Sequence, residues 1–134
     1  MKTWHVIILI IALAATVPIF AAEETQNKEA APQYDPRTEA TFKGTVEEVR
    51  DRNCPVSRGM GSHILLKTGD TTIEVHVAPT KFVKNYDVVF EKRDQIEVIG
   101  SKVNFEGVDA IFAREIRSGN DTFVFRDKDG KPIC

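Results

Sequence analysis

The sequence carries no excess of positive charge. Its 134 residues hold 18 Lys and Arg against 20 Asp and Glu, a net charge of −2. Nucleic-acid binding rests on phosphates neutralised by Lys and Arg, so an oligonucleotide is a poor partner for this chain. Cysteines number two, Cys54 and Cys134, enough for one bridge and too few for a disulfide-built scaffold. There is no internal repeat and no low-complexity tract. The run "GMGS", residues 59–62, precedes a strand-like stretch, whereas a phosphate loop needs glycine amides at the start of a helix that follows a strand. No Ser, His and acid set of nucleophilic type can be assembled, so no catalytic residue is assigned and the reading is non-enzymatic. "DKDG", residues 127–130, lacks the remaining oxygens and the closing glutamate of a calcium loop and reads as a turn.

What is present begins with a leader. Lys2 precedes an apolar run from Val6 to Val17, followed by Pro18 and small residues before two glutamates. This is the layout of a secretory signal over residues 1–22, with cleavage after Ala21 or Ala22. The alternative is an uncleaved anchor, since the run to Ala22 is at the short limit for a bilayer span. Cleavage removes Lys2 and leaves 17 of the 18 basic residues against all 20 acidic ones, a net charge of −3, with no stable membrane span. The expected location is periplasmic or secreted, where the two cysteines meet oxidising conditions. Residues 23–36, "EETQNKEAAPQYDP", read as a flexible linker. Residues 37–134 then suffice for one small domain with one core.

Within that domain apolar residues recur at spacing two, and β-branched residues are frequent, so strands carry the core. Residues 41–51 change phase at Val49, which predicts a β-bulge near Glu47 and Glu48. Residues 62–77 read as a hairpin turning at Gly69 and Asp70. Residues 78–87 suit a short helix with Pro79 at its first position. Residues 94–118 give two long strands joined at Glu106 and Gly107, the first bending at Gly100 and Ser101, and residues 121–130 give a last strand. Three strands, a short helix and further strands in this length predict an all-β, OB-like barrel, closed or partly open, of five to six strands.

The runs "KGTVEEV", "SHILLKTGDTTIEVHVAP", "DQIEVIGSKVNFEGVDAIFAREI" and "FRDKDGKP" together resemble exported bacterial OB-like domains, including the small domains of magnetosome-associated proteins of the MamS and MamX kind. The resemblance spans nearly all of residues 41–132 and implies fold and compartment, with no activity attached. It departs at the end, where such relatives often close on an aromatic residue and this chain ends "KPIC".

The hairpin carries the chemistry. With Gly69 and Asp70 as the turn, Leu66 faces Ile73 and Ile64 faces Val75 on an apolar face. The opposite face then pairs Leu65 with Glu74 and His63 with His76. Directly opposed Cβ atoms are ~4.5–5.5 Å apart, within reach of a shared copper or zinc ion. Met60 or Cys54, in the loop after the first strand, is the candidate soft third ligand, with Gly59 and Gly61 giving that loop the freedom to fold back. The plain alternative is a pair of exposed, amphipathic rings on an outer face. A Cys54 to Cys134 disulfide competes with metal ligation by Cys54. Phe123 and Phe125 share a phase that could form an exposed patch for a protein partner.

The function read first is therefore an exported, non-enzymatic binding or accessory module, its partner another exported or envelope protein. A periplasmic copper or zinc binder using His63 and His76, with Met60 or Cys54 assisting, comes second. An oligonucleotide-binding barrel comes third.

Overall fold

A computed structural model describes residues 31–133. The expected leader, and the linker up to residue 30, lie outside the described residues. Six strands form: β1 (Glu39–Cys54), β2 (Gly59–Thr68), β3 (Thr71–Pro79), β4 (Gln95–Phe105), β5 (Val108–Ser118) and β6 (Asp121–Val124), with helix α1 (Thr80–Asn85) between β3 and β4. β1 pairs antiparallel with both β2 and β4, β2 with β3, and β4 with β5. A parallel pairing of β3 with β5 closes the ring, and β6 adds to the far edge of β5. This is a closed, five-stranded OB-like barrel with the helix in the expected position.

The irregularities of sequence pattern become bends. The β1–β2 register shifts between Val46 and Glu48, so Glu47 is the extra residue. The β4–β5 register shifts between Ile99 and Gly100. Gly100 is there because a Cβ would lie 2.3 Å from the Phe112 carbonyl oxygen. The barrel fills with one face of each strand: Val46, Ile64, Leu66, Ile73, Val75, Val98, Ile111 and Ile116 pack in a single core. The hairpin pairs Leu66 with Ile73 and Ile64 with Val75, and Gly69 takes φ 61° at its turn.

Two local expectations are corrected. Pro79 caps α1 from outside the helix and is not its first residue. Phe125 is 1 % exposed, because the chain leaves β6 after Val124 and turns this ring into the core. Its neighbour Phe123 packs edge-on to Phe90, with ring centroids 5.5 Å apart, and stays half-buried on the rim of the core, so the two rings by themselves form no exposed patch.

Both ends of the described chain fold over the outside of the barrel. The Asp35 amide donates to Ser101 Oγ, and the Thr38 and Ser101 hydroxyls are 2.8 Å apart. At the other end Arg126 forms a bridge with Pro132, donates to the Gly130 carbonyl, and stacks over the Tyr34 and Phe112 rings. These covers matter for what lies beneath.

Candidate metal centre

β1 runs three residues further than its apolar pattern indicates, to Cys54, which pairs with Gly59 across a four-residue turn. Alternation along a strand then puts Arg50, Arg52 and Cys54 on one outer face. On the adjacent strands the same face carries His63 from β2, and Glu74 and His76 from β3. His63 and His76 are direct partners, as the hairpin register predicts. A third register shift, between Ser62 and His63, leaves Val77 as the extra residue on β3 and twists this end of the hairpin.

Three ligand atoms converge. His63 Nε2 lies 3.2 Å from His76 Nδ1, and Cys54 Sγ lies 3.4 Å from the same nitrogen. One donor atom from each of the three falls within 4.8 Å of the others. A tetrahedral site with bonds of ~2.0–2.1 Å to nitrogen and ~2.3 Å to sulfur has ligand edges of about 3.3–3.6 Å. The two short separations sit at that edge length, so an ion could be held with small side-chain movements. A glycine makes the approach possible: a Cβ on Gly61 would lie 3.2 Å from both Cys54 Cβ and His63 Cε1 and 2.7 Å from Ser57 Oγ.

The cluster is dry. Cys54 and His63 are each 1 % exposed and His76 is 6 % exposed. The Phe105 and Phe112 rings stand against His76, each with its centroid 5.2 Å away, and Cys54, Phe105 and Phe112 are buried outside the main core. The plain alternative of two exposed rings on an outer face is thus overturned. The face is the outer one, but the bend in β4 and β5, the turn after Cys54 and the C-terminal segment cover it.

Burial sets the charge states. Desolvation lowers the pKa of His76 to about 4, helped by His63 beside it, and lowers that of His63 as well. Both rings are neutral at pH 7, the form in which imidazole binds a metal. His63 Nδ1 and His76 Nε2, the nitrogens turned away from the cluster, have no hydrogen-bond partner of normal geometry. Glu74 flanks the site, its Oε1 3.9 Å from His63 Nε2. That carboxylate is held by Arg52, at 2.6 Å from Nη2 and 2.8 Å from Nε, and by Arg50 at 3.3 Å.

Of the residues named from sequence, the fold brings Cys54, His63 and His76 together and leaves Met60 out. Met60 is 53 % exposed on the strand edge opposite Asn53. Cys54 sits at the end of a strand and not in a loop, and among the described residues it has no disulfide partner. Cys134, its expected disulfide partner, lies outside the described residues. Gly61 was expected only to loosen the loop and Glu74 only to share the histidine face; the close approach at Gly61 and the ion pairs of Glu74 with Arg50 and Arg52 were not anticipated. Their signal was the spacing-two series Arg50, Arg52, Cys54, legible only once β1 is carried through to Cys54.

The fold and this cluster can now be set beside known proteins. The sequence pattern of the MamS/MamX magnetosome protein family matches residues 38–123, from the start of β1 into β6. The chain belongs to the MamS/MamX magnetosome protein family. Cys54, His63 and His76 all fall within the matched segment. No curated protein sequence matches this chain. Among solved structures it is similar to the mitochondrial single-stranded DNA-binding protein Rim1 from S. cerevisiae, at 9 % identity and a TM-score of 0.43 over 65 % of this chain and 96 % of that one.

Proposed function

We propose that this MamS/MamX family member is an exported accessory protein that binds one transition-metal ion, of the copper or zinc type, through Cys54, His63 and His76, and performs no catalysis of its own. The observation that carries the reading is the convergence of one sulfur and two imidazole nitrogens in a buried pocket, all within 4.8 Å of one another and two of the three pairs at ligand-edge distance. A thiolate with two imidazoles suits copper and zinc, where magnesium or calcium call for oxygen donors. Among the described residues no helix is long and apolar enough to cross a membrane.

Metal analysis of the purified protein, followed by addition of copper(I), copper(II) or zinc while the ring signals of His63 and His76 are watched by NMR, tests the reading. One equivalent of bound metal and loss or shift of both ring signals is expected. Unchanged signals at equimolar metal would sink it. Replacing Cys54 by Ser should abolish the shift, since the thiolate is the ligand with the largest charge.

A second reading concerns the partner. Tyr86, Val124 and Ile133 are 68, 44 and 54 % exposed, and with Phe82 and Phe123 they line an apolar groove of about 340 Å³ beside α1. Such a patch suits another exported or envelope protein, here a fellow magnetosome protein. Charged substitutions at Tyr86 and Ile133 should abolish co-purification of an envelope protein with the tagged protein without changing metal content. Loss of that co-purification in the Cys54 variant alone would speak against the groove.

A further inference from the structure

We infer that residues 33–38 form a strap, latched by Tyr34, that gates access to the Cys54–His63–His76 cluster: the site opens when the strap lifts, while the barrel stays folded. The gate deepens the metal-binding reading and rests on it for its purpose, whereas the exposure of Cys54 that it controls is measured without any metal.

The strap runs ahead of β1 and belongs to no strand. It is irregular to Asp35 and makes one 3-10 turn over Pro36–Thr38 before β1 starts at Glu39. Two ties hold it down. The first is the buried Ser101 hydroxyl, which accepts from the Asp35 amide at 3.1 Å and lies 2.8 Å from the Thr38 hydroxyl. The second is Tyr34. Its hydroxyl donates to Glu39, which Arg114 also holds. Its ring rests on Gly130, where a Cβ would fall 2.2 Å from Tyr34 Cδ1.

Both ties lead to the cover of the metal site. Ser101 is the cross-strand partner of Phe112, whose ring centroid stands 5.2 Å from that of His76. The Arg126 guanidinium lies 5.5 Å from the Tyr34 ring centroid and 5.7 Å from that of Phe112, so one side chain couples the strap to the aromatic wall of the site. Two grooves flank this cover. One of about 380 Å³ is lined by Tyr34, Phe112 and Gly130, and one of about 440 Å³ is lined by His76. They share a wall made of Val56, Arg58, Arg126 and Pro132. Lifting Tyr34 takes support from one side of that wall and joins the two grooves into a cleft ending at His76. Such a movement breaks a few hydrogen bonds and ring contacts and leaves the strand ladders and the core intact, which is the pattern of local opening. Cys54 and His63 are each 1 % exposed, so an ion enters or leaves through an opening of the cover.

The test uses the protein with Cys134→Ser, which leaves Cys54 as its one thiol. In the metal-free form the rate at which Cys54 reacts with a coloured aromatic disulfide is measured, and in the zinc-loaded form the rate of zinc release to a coloured chelator. Tyr34→Ala should raise both rates about tenfold, the effect of losing one hydrogen bond and one cation–π contact from a local opening equilibrium, with the denaturant midpoint of the barrel unmoved. Tyr34→Phe, which keeps the ring and loses only the bond to Glu39, should raise them about threefold. Unchanged rates in Tyr34→Ala overturn the gate. So does a rise matched by an equal fall in barrel stability, since the thiol would then be exposed by global unfolding. A faster thiol reaction in a protein that binds no zinc or copper keeps the strap as the cover of Cys54 and overturns the metal reading alone.

Discussion

Acid should loosen this barrel well before its carboxylates titrate. In the folded, metal-free protein His76 has a pKa of about 4, against an ordinary value of 6.5. Below pH 6.5 the unfolded chain takes up a proton that the folded chain refuses, so stability falls as pH falls, and the loss is complete near the folded value. A gap of about 2.5 units at ~1.4 kcal/mol each corresponds to roughly 3 kcal/mol from His76 alone, with a further loss of the same sign from His63. For a domain of this size that is a large share of the whole stability, typically ~5–15 kcal/mol. Glu74 and Glu39 have folded pKa values below their ordinary 4.5, so their contributions are lost only below that value. The window from pH 6.5 to 4.5 therefore belongs to the histidines. Denaturant midpoints of the metal-free protein at pH 7.5, 6.0, 5.0 and 4.5 measure it, with the slope of each transition checked for constancy. His76→Phe should flatten most of the curve, since a ring is kept and the proton site removed. A wild-type midpoint unchanged between pH 7.5 and 5.0 would refute the burial of neutral imidazoles on which the site depends.

Three further outcomes follow from the same packing. Met60→Ala should leave metal affinity within about twofold of wild type, because the side chain lies outside the cluster and surface changes cost little; a tenfold loss would place Met60 among the ligands. Gly61→Ala should weaken metal binding by roughly 10–100-fold, the range for groups that position ligands, since the new Cβ presses on Cys54 and His63; equilibrium titration reads it, with circular dichroism confirming the fold. Gly100→Ala should cost about 1–3 kcal/mol as an overpacked site, lowering the thermal midpoint, because its Cβ meets backbone that cannot yield.

Much of the fold was legible because it rests on local pattern. The Glu47 bulge, the Gly69 turn and the Gly100 bend each interrupt an alternation of apolar residues, and each reappears as a register shift or a positive φ. The pairing of His63 with His76 was equally legible, since a two-residue turn fixes every partner on the hairpin. Burial of that pair was not. It comes from Phe105 and Phe112, which arrive from strands some thirty residues away, and from the C-terminal crossing by Arg126 and Pro132; hairpin alternation cannot register those contacts. Cys54 was misplaced for a simpler reason. The stretch Arg50 to Cys54 is polar on its outer face and carries no apolar alternation, so the pattern ends at Asp51 while the strand runs on to Cys54.

The central claim is that Cys54, His63 and His76 hold one metal ion between them. A crystal of the protein grown with copper(I), measured on both sides of the copper absorption edge, tests it most directly. The account predicts one anomalous peak at ~2.0–2.3 Å from Cys54 Sγ, His63 Nε2 and His76 Nδ1. A peak at Met60 or on the surface, with the three side chains still in contact and no metal among them, would contradict it.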